Sequence, residues 1–207
     1  MSCVARTRKT KWWLKPFASL RFGDRLIGIM PTPAEAVTAY ILAKDGNRPF
    51  LMKQAFAENV ELEMVVKTDT ISFPSNASGL SAVEDILVRR FGVDSENIYT
   101  FCLSQPPEAV NSRFQCHWLV GMSARATGQI RVGCGGYDWH FNDDGKVGKL
   151  VINIDVMKVL SGSDPNVVMA WLSSLPYPWC STSQALKAFP ANDDLSDIAA
   201  YLKQARC

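Results

Sequence analysis

The run Tyr137-Asp-Trp-His-Phe-Asn-Asp-Asp-Gly-Lys-Val-Gly-Lys-Leu-Val-Ile-Asn-Ile-Asp-Val156 constrains the fold of this chain more than any other stretch. It reads as two strands joined by a tight Asp-Gly turn. Side chains alternate along a strand, so Tyr137, Trp139 and Phe141 share one face of the first strand. Leu150, Ile152, Ile154 and Val156 share one face of the second, and Asp138, His140, Asn153 and Asp155 fall on the opposite faces. A sheet with so bulky an apolar face must be covered, and what covers it decides whether a pocket remains.

The segments before and after supply the cover. Thr32-Pro-Ala-Glu35 is a capping box with proline at the first helical position. The helix it opens carries Val37, Tyr40 and Ile41 on one stripe. It ends at Asp45-Gly46-Asn47, with Gly46 suited to a left-handed cap. Pro49 opens a second helix through Met52 and Phe56. Asn59 to Val66 alternates as a half-buried strand, with Val60, Leu62 and Met64 inward and Glu61 and Glu63 outward. Lys67 to Ala77 reads as a polar loop carrying Ile71 and Phe73, the composition of a lid or of a packed loop.

A helix capped by Ser78 or Ser81, with Ser81-x-x-Glu84 as a second capping box, holds Val83, Ile86 and Leu87 and stops at Gly92. Strands follow at Ile98 to Leu103, Arg113 to Ser123 and Gln129 to Phe141. Phe114, Cys116, Trp118, Val120 and Met122 share one face of the middle strand, and His117 lies on the other. The glycines at 133, 135 and 136 predict a bulge or bend. Asp164-Pro165 caps a further helix through Met169 and Leu172, and Leu195, Ile198, Ala199 and Leu202 mark a last one. Helices segregated from a contiguous antiparallel meander define an α+β domain.

At 207 residues the chain forms one domain with appendages, and 47% apolar residues are ample for a core. A net charge of +2 gives no argument for nucleic acid or membrane as a partner. The six cysteines include no Cys-x-x-Cys pair and read as reduced. With two histidines only, His117 and His140, no metal site is expected, and no cofactor. Residues 1–29 are basic and aromatic (Arg6, Arg8, Lys9, Trp12, Trp13) with Asp24 as the lone acid. They read as an over-extended gene start, an organelle-targeting leader or a basic tail; without a leader, the cytoplasm is the expected location. The divisions are 1–29, a domain at 30–160 and a C-terminal helical extension at 161–207, expected to pack as a cap that closes the domain or covers a sheet edge.

The helix holding Tyr40, then Ala55-Phe-Ala-Glu-Asn-Val-Glu-Leu-Glu63, Gly79 opening a helix, and Phe141-Asn-x-x-Gly-Lys-Val147 resemble the NTF2-like superfamily. This is the cone fold of nuclear transport factor 2, ketosteroid isomerase and the SnoaL-like polyketide cyclases. Ala43-Lys-Asp-Gly-Asn-Arg-Pro49, Tyr137-Asp-Trp139 and Leu175-Pro-Tyr-Pro-Trp-Cys180 look like uncharacterised bacterial SnoaL-like proteins. The resemblance implies a curved antiparallel sheet wrapped around N-terminal helices, with a pocket inside and a second copy on the outer sheet face near His117 and Leu119.

Position by position, Tyr40 matches the tyrosine that stabilises an enolate oxygen in ketosteroid isomerase, and Tyr137 stands at the position of its neutral acid. The catalytic base position falls on Met64, which cannot take a proton, with Glu63 beside it. Other members use a His–Asp pair, for which Asp138 and His140 are the candidates. The candidate catalytic residues are therefore Tyr40, Asp138 and His140, and the candidate ligand-binding residues Tyr40, Met64, Trp118, Tyr137, Trp139 and Ile152. The function expected is binding of a small apolar metabolite in a cone-shaped pocket. The alternative is a general acid–base enzyme (isomerase, cyclase, dehydratase or hydrolase) on a hydrophobic molecule.

Overall fold

A computed structural model describes residues 30–107, 111–160 and 165–205. The readings of residues 1–29 and of Asp164 as a cap lie outside the described residues. Helix α1 (Pro33–Asp45) begins at the expected capping box: Glu35 N donates to Thr32 Oγ1 at 3.2 Å, and Thr32 N donates to Glu35 Oε2 at 2.9 Å. Its end differs from expectation. Gly46 keeps a φ of −92°, and Asn47 takes the left-handed conformation at φ 46°, which asparagine tolerates.

A single 3₁₀ turn at Pro49–Leu51 leads into the short α2 (Met52–Ala55), and β1 (Phe56–Val66) starts at once. Phe56 is thus a strand residue and not the end of the second helix. The loop after β1 contains a short strand, β2 (Asn76–Ser78), which folds back antiparallel on Glu61–Glu63. Neither Ser78 nor Ser81 caps the next helix. Gly79, at φ 84°, precedes α3 (Leu80–Glu84), and Glu84 pairs with Arg89 at 2.6 Å in place of a capping box. A wide π-type turn (Asp85–Arg90) continues into α4 (Phe91–Asp94).

Strands β3 (Ser95–Cys102), β4 (Arg113–Ala124), β5 (Ile130–Phe141) and β6 (Val147–Val159) complete a six-stranded sheet in the order β2-β1-β6-β5-β4-β3. All neighbours are antiparallel except β1 and β6. The β5–β6 turn forms as expected. Gly145 sits at φ 73°, and Asn142 Oδ1 accepts from the amides of Asp144 at 3.1 Å and Lys146 at 2.9 Å.

The irregularity predicted from the glycines belongs to the partner strand. Cys134 pairs with Val156 but Gly135 pairs with Ile154, so Asp155 is the extra residue and β6 bulges. β5 therefore keeps its alternation, with Tyr137, Trp139 and Phe141 inward as expected. β6 instead changes facing: Leu150, Ile152 and Ile154 are inward, while Val156 turns to the outer face and Met157 takes the inner one. A Cβ on Gly135 would overlap the Asn153 carbonyl and approach Trp118 to 2.8 Å, and one on Gly133 would overlap the end of Met157. The glycines make room for the bulge and for large neighbours.

The sheet is apolar on both faces. The inner face packs against α1 and α2 in a core containing Tyr40, Phe56, Trp118, Tyr137 and Trp139. The outer face of β3–β5 presents Phe101, Leu119, Val132 and Cys134 to the C-terminal extension. The extension contributes α5 (Pro165–Ser174), α6 (Thr182–Lys187) and α7 (Ser196–Gln204), with Trp171, Leu172, Ile198 and Leu202 buried there. Trp171 Nε1 donates to the Ala185 carbonyl at 3.0 Å and ties α5 to α6. Between these helices Trp179 pairs beside Cys102 on the β3 edge, and its indole donates to Thr38 Oγ1 on α1 at 3.2 Å. The extension thus covers an edge and the outer face together. That face was expected to meet a second copy. Leu119 instead lies fully buried beneath the chain's own helices, and His117 bonds Tyr201 of α7 at 2.8 Å. Among the described residues no helix is long and apolar enough to cross a membrane.

Two substitutions test this packing. Gly135→Ala is expected to destabilise by about 1–3 kcal/mol through overpacking. Leu172→Ala, which opens a cavity over β4, is expected to cost about 2–5 kcal/mol. Urea unfolding measures both, and wild-type stability in Leu172→Ala would show that the extension is not part of the cooperative core.

Candidate functional site

Between the inner sheet face and the helices lies a cavity of about 50 Å³. Its walls come from α1 (Tyr40, Lys44), β1 (Met64), the loop after it (Phe73), the α3–α4 stretch (Leu87, Phe91), β4 (Trp118, Val120, Met122), β5 (Tyr137) and β6 (Ile152, Ile154, Met157). Such a volume holds a few waters at about 10–15 Å³ each, whereas ligand sites commonly measure about 300–1,000 Å³. A metabolite enters only as side chains yield. Phe73 on a loop and the flexible Met64, Met122 and Met157 are the movable part of the lining.

Of the residues expected to bind a ligand, Tyr40, Met64, Trp118, Tyr137 and Ile152 line this cavity. Trp139 does not. It is fully buried behind the lining, with its ring 5.3 Å from that of Tyr40 and 5.1 Å from that of Tyr137. Tyr40 meets Phe56, Tyr137 and Trp139 edge-to-face, and Trp139 lies tilted against Phe56 and Tyr137, so the four rings pack as one cluster around Tyr40.

Burial pushes both phenols up, and each affects the other: Tyr137 lowers the pKa of Tyr40, while Tyr40 raises that of Tyr137. The hydroxyls are close enough for this coupling. The Tyr40 hydroxyl nevertheless has no partner with hydrogen-bond geometry, and neither does the Trp139 indole N–H. Two neutral phenols therefore border an apolar hollow, and one of them holds an unused donor.

Lys44 was not among the expected site residues. It follows Tyr40 by one helical turn, on the stripe of Val37, Tyr40 and Ile41, and is 8% exposed. Its Nζ donates to Thr100 Oγ1 at 2.8 Å and Asp45 Oδ1 at 3.2 Å, and lies 4.2 Å from the centre of the Phe91 ring. Burial lowers its pKa against the opposing pull of Asp45. Asp45 in turn accepts from Thr100 N at 2.6 Å, Thr100 Oγ1 at 2.7 Å and Tyr177 OH at 3.0 Å. A lysine at helical spacing on an apolar stripe was the available signal, since such a position must bury or bend away its charge.

Asp138 and His140 are brought together but away from this site. His140 Nε2 is 3.4 Å from Asp138 Oδ1, on the sheet face opposite Tyr137 and Trp139. Asp138 takes a two-pronged contact from Arg113, at 2.8 and 2.6 Å, and this partner holds its carboxyl below the usual range. The pair does not line the cavity that Tyr40 borders, because alternation along β5 turns it to the other sheet face. Glu63 points outward and pairs with Lys149 at 3.1 Å, whereas Met64 faces the cavity.

No family model and no curated relative matches the sequence. Solved structures do. A protein from Mycobacterium tuberculosis is similar at a TM-score of 0.50 and 15% identity, over 62% of this chain and 97% of its own. The same protein in complex with estradiol-17beta-hemisuccinate gives 0.49 and 16% identity, over 61% and 98%. An NTF2-like protein of unknown function from Exiguobacterium gives 0.44 and 15%, over 58% and 98%. At such identity the likeness bears on the fold alone. The fold is NTF2-like.

Removing a buried hydroxyl that lacks a partner relieves a desolvation cost of about 1–3 kcal/mol. Tyr40→Phe is therefore expected to leave stability unchanged or raised in urea unfolding. A loss above about 1 kcal/mol would mean that the hydroxyl is bonded in the free protein.

Proposed function

We propose that this chain is a SnoaL-like binding domain for a small, largely apolar metabolite that carries a hydrogen-bond acceptor. The observation that carries this reading is the Tyr40 hydroxyl, fully buried in an apolar cavity wall with no protein group placed to accept from it. A buried donor without a partner is costly, and an acceptor on a bound ligand removes that cost. Aromatic, aliphatic and methionine side chains around it supply contacts to the rest of the ligand.

Acid–base chemistry of the ketosteroid isomerase kind is disfavoured, because its base would be Met64 and the sheet carboxylates face away. The four described cysteines are free thiols, which suits a reducing compartment such as the cytoplasm. The homodimer implied by the resemblance is assigned to the sheet surface left uncovered, around the exposed Glu61, Glu63 and Val65 of β1.

Cyclohexanone and methylcyclohexane, titrated calorimetrically into the full chain, test the reading. The ketone is expected to bind about 2- to 12-fold more tightly than the hydrocarbon, the worth of one hydrogen bond. Tyr40→Phe is expected to remove that preference, and Ile152→Trp, which fills the cavity, to abolish binding of both. Ketone affinity untouched by Ile152→Trp would place binding elsewhere and end the proposal.

A further inference from the structure

We infer that Lys44 is an imine-forming lysine, whose amine captures an aldehyde ligand as a Schiff base. The inference rests on the cavity being the ligand site and names the class of ligand it takes. Lys44 and Tyr40 stand one helical turn apart on α1 and bound the same hollow. The two side chains therefore lie on one side of that hollow, with the Lys44 amine held at its margin by Thr100 and Asp45.

The surroundings of Asp45 set this lysine apart from a simple buried ion pair. In such a pair, loss of the cation strands the carboxylate. Here Asp45 keeps three other donors: the Thr100 amide, the Thr100 hydroxyl and the Tyr177 hydroxyl. The amine can become neutral without leaving Asp45 unsolvated, and burial already favours its neutral form. Lys67 and Lys149, by contrast, have half-exposed side chains paired with Asp155 and Glu63 away from the cavity.

The step balances without an oxidant or reductant. The neutral amine attacks the carbonyl carbon, a C–N bond forms, and the C=O π pair moves to oxygen, beside the Tyr40 donor. The nitrogen loses a proton and the oxygen gains one, giving a carbinolamine. The hydroxyl leaves with a further proton as water, and the nitrogen lone pair completes the C=N bond. Thr100 Oγ1 accepts from Lys44 and donates to Asp45, so it offers a short path for the protons that leave the nitrogen.

The test is reductive trapping on the full chain. The protein is incubated with benzaldehyde and sodium cyanoborohydride near neutral pH, then digested and mapped by mass spectrometry. The expected result is an N-benzyl group on Lys44 in at least tenfold excess over any other lysine, suppressed by excess cyclohexanone. Lys44→Arg, which keeps the charge and the Asp45 contact, should lose that adduct and leave the rest of the map unchanged; if this variant does not fold, the wild-type map decides alone. Labelling that falls on exposed lysines and spares Lys44 would overturn the inference. If cyclohexanone still binds calorimetrically in that case, imine formation fails while the binding function stands. If it does not bind, both fail.

Discussion

The central strands of this sheet are apolar on both sides, and everything else in the fold answers to that. β4 runs buried without interruption from Trp118 to Ser123, with Trp118, Val120 and Met122 turned to one layer and Leu119 to the other. A strand of this kind cannot leave either face to water at about 25 cal/mol per Å² of apolar area. The N-terminal helices cover the inner face incompletely and leave the cavity. The C-terminal helices cover the outer face with Trp171, Leu172, Ile198 and Leu202. The surface that a second copy would otherwise have to protect is protected within one chain.

Asp45 joins the layers. It stands at the end of α1 and takes hydrogen bonds from Thr100 on β3 and from Tyr177 in the extension. The carboxylate is 6% exposed, so it needs its donors. In satisfying itself it fixes the last turn of α1 against the sheet, and with it the position of Lys44. Polar satisfaction in the core and placement of the cavity amine are thus one arrangement. The packed rings of Tyr40, Tyr137 and Trp139 do the same for the phenols. A cavity wall built on a helix and a sheet, with Phe73 and methionines opposite, combines fixed polar groups with an adaptable apolar side.

Much of the cavity could be read from alternation alone. Tyr137, Trp118, Met64 and Ile152 face inward because their strands are regular there, and Tyr40 faces inward because it lies on the apolar stripe of α1. The same rule put Asp138 and His140 outside. Trp139 shows the limit of that rule: alternation gives the face, not the depth, and an indole next to two tyrosines fills the core behind the wall. Lys44 escaped notice because its type argues for solvent, and only the fold brings Thr100, Asp45 and Phe91 around it.

The chain's periodicity determined which elements form, which faces of the strands are apolar and how α1 begins, since these depend on neighbours a few residues apart. Tertiary contacts decided the rest. The bulge at Asp155 turned Val156 outward, although local pattern argued otherwise, because β6 had to match β5 at Gly135. Asn47 took the left-handed role in place of Gly46. The destination of the C-terminal helices was settled by the apolar outer face of strands far away in sequence, a surface that exists only once the sheet has assembled.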